Sequence, residues 1–159
     1  MTPNPDAQEN DVPPAFEKVV AQFAQSVGVE ADPLIQGKWL EYSGRRFWLV
    51  HYGLDDPQGL TILMEAAALP EEPGALVALT TPLLEYHVAV PVALQGYYGC
   101  LPDHNCLVHC TRLALDELAD PAATLEATIW ELADSMGSAH AHIASAGAEA
   151  KASQPGSQA

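Results

Sequence analysis

The sequence predicts an α+β fold of order α-βββ-α-ββ-α, a twisted antiparallel sheet flanked by helices. Three observations carry the prediction. Apolar residues recur at helical spacing near both ends of the chain. The strand-like runs between them are joined by links too short for anything but antiparallel neighbours. The chain has 159 residues, 48% of them hydrophobic, enough for one folded core.

The first helix is drawn by Phe16, Val19, Val20, Phe23 and Val27, with Glu17, Lys18, Gln22 and Gln25 between them. Pro14 suits its start and Gly28 its end, which places it over about 15–27. Trp39-Leu40-Glu41-Tyr42 reads as a short strand and Ser43-Gly44 as a turn. Arg46 to Tyr52 is aromatic and β-branched, hence a second strand. Asp55-Asp56-Pro57-Gln58-Gly59 turns the chain, and Leu60 to Glu65 returns it as a third. Residues 75–90 are ambiguous between helix and strand. Thr81 before Pro82 has the form of a cap followed by a first-turn proline, so a helix is expected from there to Pro91. Tyr97 to Leu101 and Cys106 to Thr111 flank Pro102-Asp103-His104-Asn105 as a hairpin. Asp120-Pro121 opens a last helix striped by Leu125, Ile129, Leu132 and Met136.

The ends differ from this middle. Residues 1–14 contain four prolines without apolar periodicity, and 137–159 are rich in Ala, Ser, Gly and Gln. Both are expected to be disordered tails around a domain spanning 15–136. The formal net charge of −15, from 21 acidic and six basic residues, disfavours binding to nucleic acid and favours a basic partner. Three closely spaced cysteines do not form a disulfide framework, the start lacks the pattern of a secretory signal, and no apolar run is long enough to insert in a membrane. A cytoplasmic location with reduced thiols is the expectation.

Chemical motifs are sparse. Cys100, His104, Cys106, His109 and Cys110 invite a zinc reading, but there is no Cys-x2-Cys knuckle. On a strand, Cys106 and Cys110 share a face that His109 does not. Nothing brings His51, His87 or His109 into a nucleophilic dyad with a cysteine, and no oxyanion motif accompanies them. His140 and His142 fall in the expected tail. Glu126, Glu131 and Asp134 lie off the apolar stripe of the last helix, as a solvated face would, rather than as an acid/base pair. Glycine-rich phosphate loops are absent. The expectation is a protein that is not an enzyme and needs no cofactor or metal.

Trp39, Tyr42, Phe47, Trp48 and Tyr52 crowd the first three strands. Alternation puts Phe47 with Leu49 on one face and Trp48 with Val50 and Tyr52 on the other. One face can pack on helices; the other is expected to meet another chain or a ligand.

With these elements in place, the chain resembles the type III secretion chaperones of the Tir chaperone (CesT) family. The resemblance rests on the element order, small size and acidity, and on the pair Leu83-Leu84 in LLEYH. It extends to GYYGCLPDHNCLVHCTRL and to LALDELADPAATLEATIWELAD with its aromatic Trp130, covering about 15–136. Tyr86-His87 departs from the Ala-Asn or Ser-Asn that follows the leucine pair in many members. Length and tails are similar to those of the HpaB-like general export chaperones. The resemblance implies a homodimer formed through Leu83, Leu84, His87 and Val88. It implies that N-terminal segments of secreted effector proteins wrap the dimer, with the secretion ATPase as a further partner. Phe16, Val20, Phe23, Phe47, Trp48 and Val50 are the corresponding candidates for client contact. The alternative is a non-enzymatic adaptor or regulator that binds a folded partner on a similar fold.

Overall fold

The structure, a computed structural model, describes residues 12–89 and 96–152. Helix α1 spans Pro14–Val27 and the short α2 Ala31–Ile35. Strands β1 (Leu40–Tyr42), β2 (Arg45–Val50) and β3 (Gly59–Ala68) follow, then α3 (Pro73–Ala89). Strands β4 (Tyr97–Leu101) and β5 (Cys106–Ala114) precede the long α4, Pro121–Ala152. The fold is α+β. Its five-stranded sheet has the order β1-β2-β3-β5-β4, and every neighbouring pair is antiparallel.

Local chemistry explains most of the boundaries. Gly28 takes a left-handed φ of 75° and closes α1, its N–H donating to the Ala24 carbonyl. Ser43 and Gly44, at φ 52° and 74°, make the two-residue turn from β1 to β2 that matches strand twist. Asp120 caps α4 by accepting from the Ala123 N–H at 3.1 Å, with Pro121 at the first helical position. Gly96 leads into β4 at φ 72°; a Cβ there would overlap the Cys110 carbonyl oxygen and press on the His109 ring.

The start of α3 differs from the sequence expectation. It begins at Pro73, not at Pro82, and Glu72 accepts from the Ala75 N–H at 2.7 Å to cap it. Thr80 and Thr81 do not stop the chain. Their hydroxyls donate back to the Leu76 and Val77 carbonyls at 2.9 and 2.8 Å, and Pro82 sits inside the helix. A proline removes one backbone donor, and a helix held by packing on other sides tolerates that loss. Helix α4 likewise continues to Ala152, so 137–152, expected as tail, carries on the helix; its alanines are the strongest helix formers. Of the other expected tail, 12–14 belong to the fold: Val12 packs on the core and Pro14 opens α1. Residues 1–11 and 153–159 lie outside the described part.

Two apolar clusters sit on opposite faces of the sheet. The larger joins Phe16, Val20 and Phe23 of α1 and Leu125, Ile129 and Met136 of α4 to Phe47, Leu49, Leu60, Ile62 and Met64. The smaller contains Trp48, Leu63, Cys106, Val108 and Cys110, with Val50 and Leu101 against it, all from strands. Arg46 fixes the rim of this second face. Its guanidinium donates to both Glu65 carboxylate oxygens, at 2.9 and 2.8 Å, and lies 5.6 Å from the Trp48 ring centre. Arg112 and Asp56 make a second bidentate pair at 2.7 Å, tying β5 to the turn before β3.

Ile129 is 1% exposed, so Ile129→Ala is expected to cost about 2–5 kcal/mol in urea denaturation. Acid acts in two stages. Burial lowers the pKa of His51 below its ordinary 6.5. The unfolded chain therefore takes up that proton first, so stability is full above 6.5 and declines below it. Glu65 and Asp56 are held below the ordinary carboxylate range by hydrogen bonds from Arg46 and Arg112, so a further loss follows at lower pH. Denaturation midpoints measured from neutral to acidic pH should show both stages, and His51→Phe should flatten the first.

Candidate functional site

The residues with ionisable or nucleophilic side chains do not converge. Cys106, Val108 and Cys110 point to the strand-only face, whereas His109 points to the helix face and meets the Tyr98 ring at 5.0 Å. Its Nδ1 lies 3.2 Å from the Thr111 hydroxyl. His104 stacks obliquely on Trp48 at 5.0 Å. Among the described residues no group of three or more His, Cys, Asp or Glu could hold a metal ion. Burial raises the Cys110 thiol to about 11 and also raises Cys106, the reverse of what an activated nucleophile requires. His51 accepts from the Gly53 N–H through Nδ1 at 3.2 Å and packs on Phe16 at 4.9 Å, with Nε2 buried and unpartnered. These are the contacts of a histidine held neutral in a core.

The feature that stands out is an open groove of about 440 Å³. Its walls are the C-terminal end of α1 with the following turn (Phe23, Ser26, Val27, Val29), all of β1, Phe47 of β2, and Glu126, Ile129 and Trp130 of α4. Side chains alternate along β1, so Leu40 and Tyr42 face the helices while Glu41 does not. Glu41, whose side chain points the other way, therefore lines the groove through its main chain. β1 pairs only with β2, and its outer edge is free of sheet partners among the described residues. Above it the Tyr42 and Trp130 rings stack at 5.8 Å with planes 6° apart. Ser26 donates to Glu126 at 3.0 Å, tying α1 to α4 at the rim.

Of the expected client-contact residues, Phe23 and Phe47 reach this groove from its floor. Phe16 and Val20 do not; both are fully buried in the main cluster. Trp48 is also buried in the second cluster, and Val50 packs against it. The helical stripe marked these residues as apolar-facing, and periodicity alone does not distinguish a face turned to the core from one turned to a client. Tyr42, Val27 and Trp130 carried the missing signal: large apolar groups at the margins of a stripe, where a rim would be.

The expected dimer residues also divide. Leu83 is 6% exposed and belongs to the core. His87 Nε2 accepts from the Tyr98 N–H at 2.7 Å and its ring stacks on that of Tyr98, so it ties α3 to β4. Leu84 and Val88 are exposed, at 64% and 90%, and Val77 joins them at 62%. With the exposed Thr81 they recur at intervals of four, three and four, the spacing of a helix–helix seam.

Comparisons with protein-family models, curated proteins and solved structures find nothing that matches this chain. No helix among the described residues is long and apolar enough to cross a membrane.

Thiol accessibility checks the strand faces. Cys100 is exposed while Cys106 and Cys110 are buried. An aromatic disulfide reagent should therefore titrate one thiol quickly in the native protein and the other two only after unfolding. Rapid reaction of all three would contradict the packing of the second cluster.

Proposed function

We propose that this chain is a cytoplasmic, homodimeric secretion chaperone of the type III kind. It binds N-terminal segments of effector proteins, keeps them unfolded and delivers them to the export apparatus. The observation that carries this reading is the apolar groove along the free edge of β1. A strand edge supplies main-chain hydrogen bonds to any extended peptide, and an adjoining apolar trough takes its alternate side chains. Those two features together suit a segment without tertiary structure better than a folded surface.

Three further observations support it. The element order α-βββ-α-ββ-α, with the short α2 added, is the order on which the family resemblance rests. Helix α3 is apolar on both sides, with Leu83 in the core and Val77, Leu84 and Val88 outside, the pattern of a helix that buries its second side against a copy of itself. The charge of −15 keeps a complex with an unfolded client soluble and suits basic client segments or the export ATPase. No chemical step is assigned to the chain.

The direct test is co-expression with the N-terminal segment of an effector secreted by the same cell. The expected result is a stable complex on a chaperone dimer, with the segment protected from proteolysis where it lies in the groove. A monomer that neither retains nor protects the segment would refute the proposal. The seam has its own check. Leu84→Glu combined with Val88→Glu should convert dimer to monomer in sedimentation, with little change in melting temperature, because both side chains are exposed within the protomer.

A further inference from the structure

The groove has a charge as well as a shape. Among the described residues that line it the carboxylates are Glu41 and Glu126, and none is a lysine or arginine. Glu41 contributes chiefly its main chain, as the alternation along β1 requires, so Glu126 is the carboxylate aimed at an occupant. Its Oε2 lies 3.0 Å from the Ser26 hydroxyl, whose one proton is shared between this carboxylate and the Phe23 carbonyl at 2.9 Å. Trp130 follows four residues later on the same helix. Residues so spaced stand roughly 5–6 Å apart at their Cβ atoms, and the longer side chain leans back toward the earlier one. Tyr42 stacks on the indole, yet Trp130 remains 49% exposed. A carboxylate one helical turn from an exposed indole, at the rim of an apolar trough, presents the two groups that bind an organic cation: an opposite charge and a π-system.

We propose that Glu126 and Trp130 form a cation subsite, and that the groove selects extended apolar segments carrying an arginine or lysine. The proposal rests on the peptide-capture reading and names the chemistry of the captured segment. The segment pairs along β1 and places apolar side chains over Phe23, Val27, Phe47 and Ile129. Its basic side chain lies along the free surface of Trp130 and ends at Glu126. The surrounding charge of −15 steers such a segment toward the protein, and the subsite fixes its register once there.

The probe is a fluorescein-labelled peptide of about ten residues, alternating valine and threonine, with one central position set to arginine, lysine, glutamine or glutamate. Fluorescence anisotropy is read with the full-length protein and with Glu126→Gln, Trp130→Leu and Ser26→Ala. Circular dichroism confirms that each variant is folded. The arginine and lysine peptides should bind about tenfold more tightly than the glutamine peptide, and the advantage should shrink as salt is raised. Glu126→Gln should erase that advantage, bringing the arginine and lysine peptides to the affinity that the same variant shows for the glutamine peptide. Ser26→Ala, which frees the carboxylate without removing it, should reduce the advantage only partly. Equal binding of all four peptides would overturn the subsite and leave peptide capture standing. A cation preference that survives both Glu126→Gln and Trp130→Leu would overturn it too, assigning the preference to net charge. Failure of every peptide to bind would overturn both this inference and the groove as a capture site.

Discussion

The structure depends on β3 being buried on both faces. It is the middle strand of five, pairing with β2 on one side and β5 on the other, and Leu60, Ile62 and Met64 are fully buried beneath the helices. On its opposite face Thr61 and Leu63 are also buried. A strand in that position requires cover twice. Helices α1 and α4 supply it on one side. On the other, the described residues clustered with Leu63 are Trp48, Cys106, Val108 and Cys110, which flank it on the neighbouring strands, with Arg46 and Glu65 paired at the rim. The helices are thereby committed to one face, and they reach only part of the way across it.

The groove is what that commitment leaves. α1 ends at Gly28 and the chain turns away, while α4 enters from Asp120 and crosses over the sheet. Between them the edge strand β1 is only partly roofed, and the buried Phe23, Phe47 and Ile129 lie at the bottom of the opening, with Val27, Tyr42 and Trp130 exposed at its margin. An open trough beside an unpaired strand edge is a liability for aggregation unless something manages it. Here β1 is three residues long, and the carboxylate of Glu126 and the stacked Tyr42–Trp130 pair stand over it. In the proposed capture of a peptide, the same features that limit indiscriminate pairing would set the preference for a short, basic, extended segment.

Cysteines and histidines serve packing in this arrangement. Cys106 and Cys110 act as small apolar groups in the second cluster, His51 backs onto Phe16, and His87 and His109 flank Tyr98 where α3 meets β4 and β5. Two of the histidines tie elements together through ring nitrogens that accept: Gly53 and Tyr98 donate their N–H groups to His51 and His87.

The sequence by itself determined the order of elements, the antiparallel hairpins, the stripes of α1 and α4 and the divergence of His109 from Cys106 and Cys110. These follow from periods of 3.6 and 2.0 and from turn chemistry at Gly28, Ser43-Gly44 and Asp120-Pro121, all local properties of the backbone. It misplaced the start of α3, because Thr81-Pro82 has the local form of a helix start, and packing on α4 and the sheet outweighs the one lost donor. Only the tertiary structure decided which apolar residues are core and which are surface. Phe16, Val20, Phe23, Trp48 and Leu83 are as apolar as Val27, Val77, Leu84 and Val88, and local pattern does not separate them. Their division depends on how far each helix extends across the sheet, and that distance is set by contacts between residues far apart in the chain.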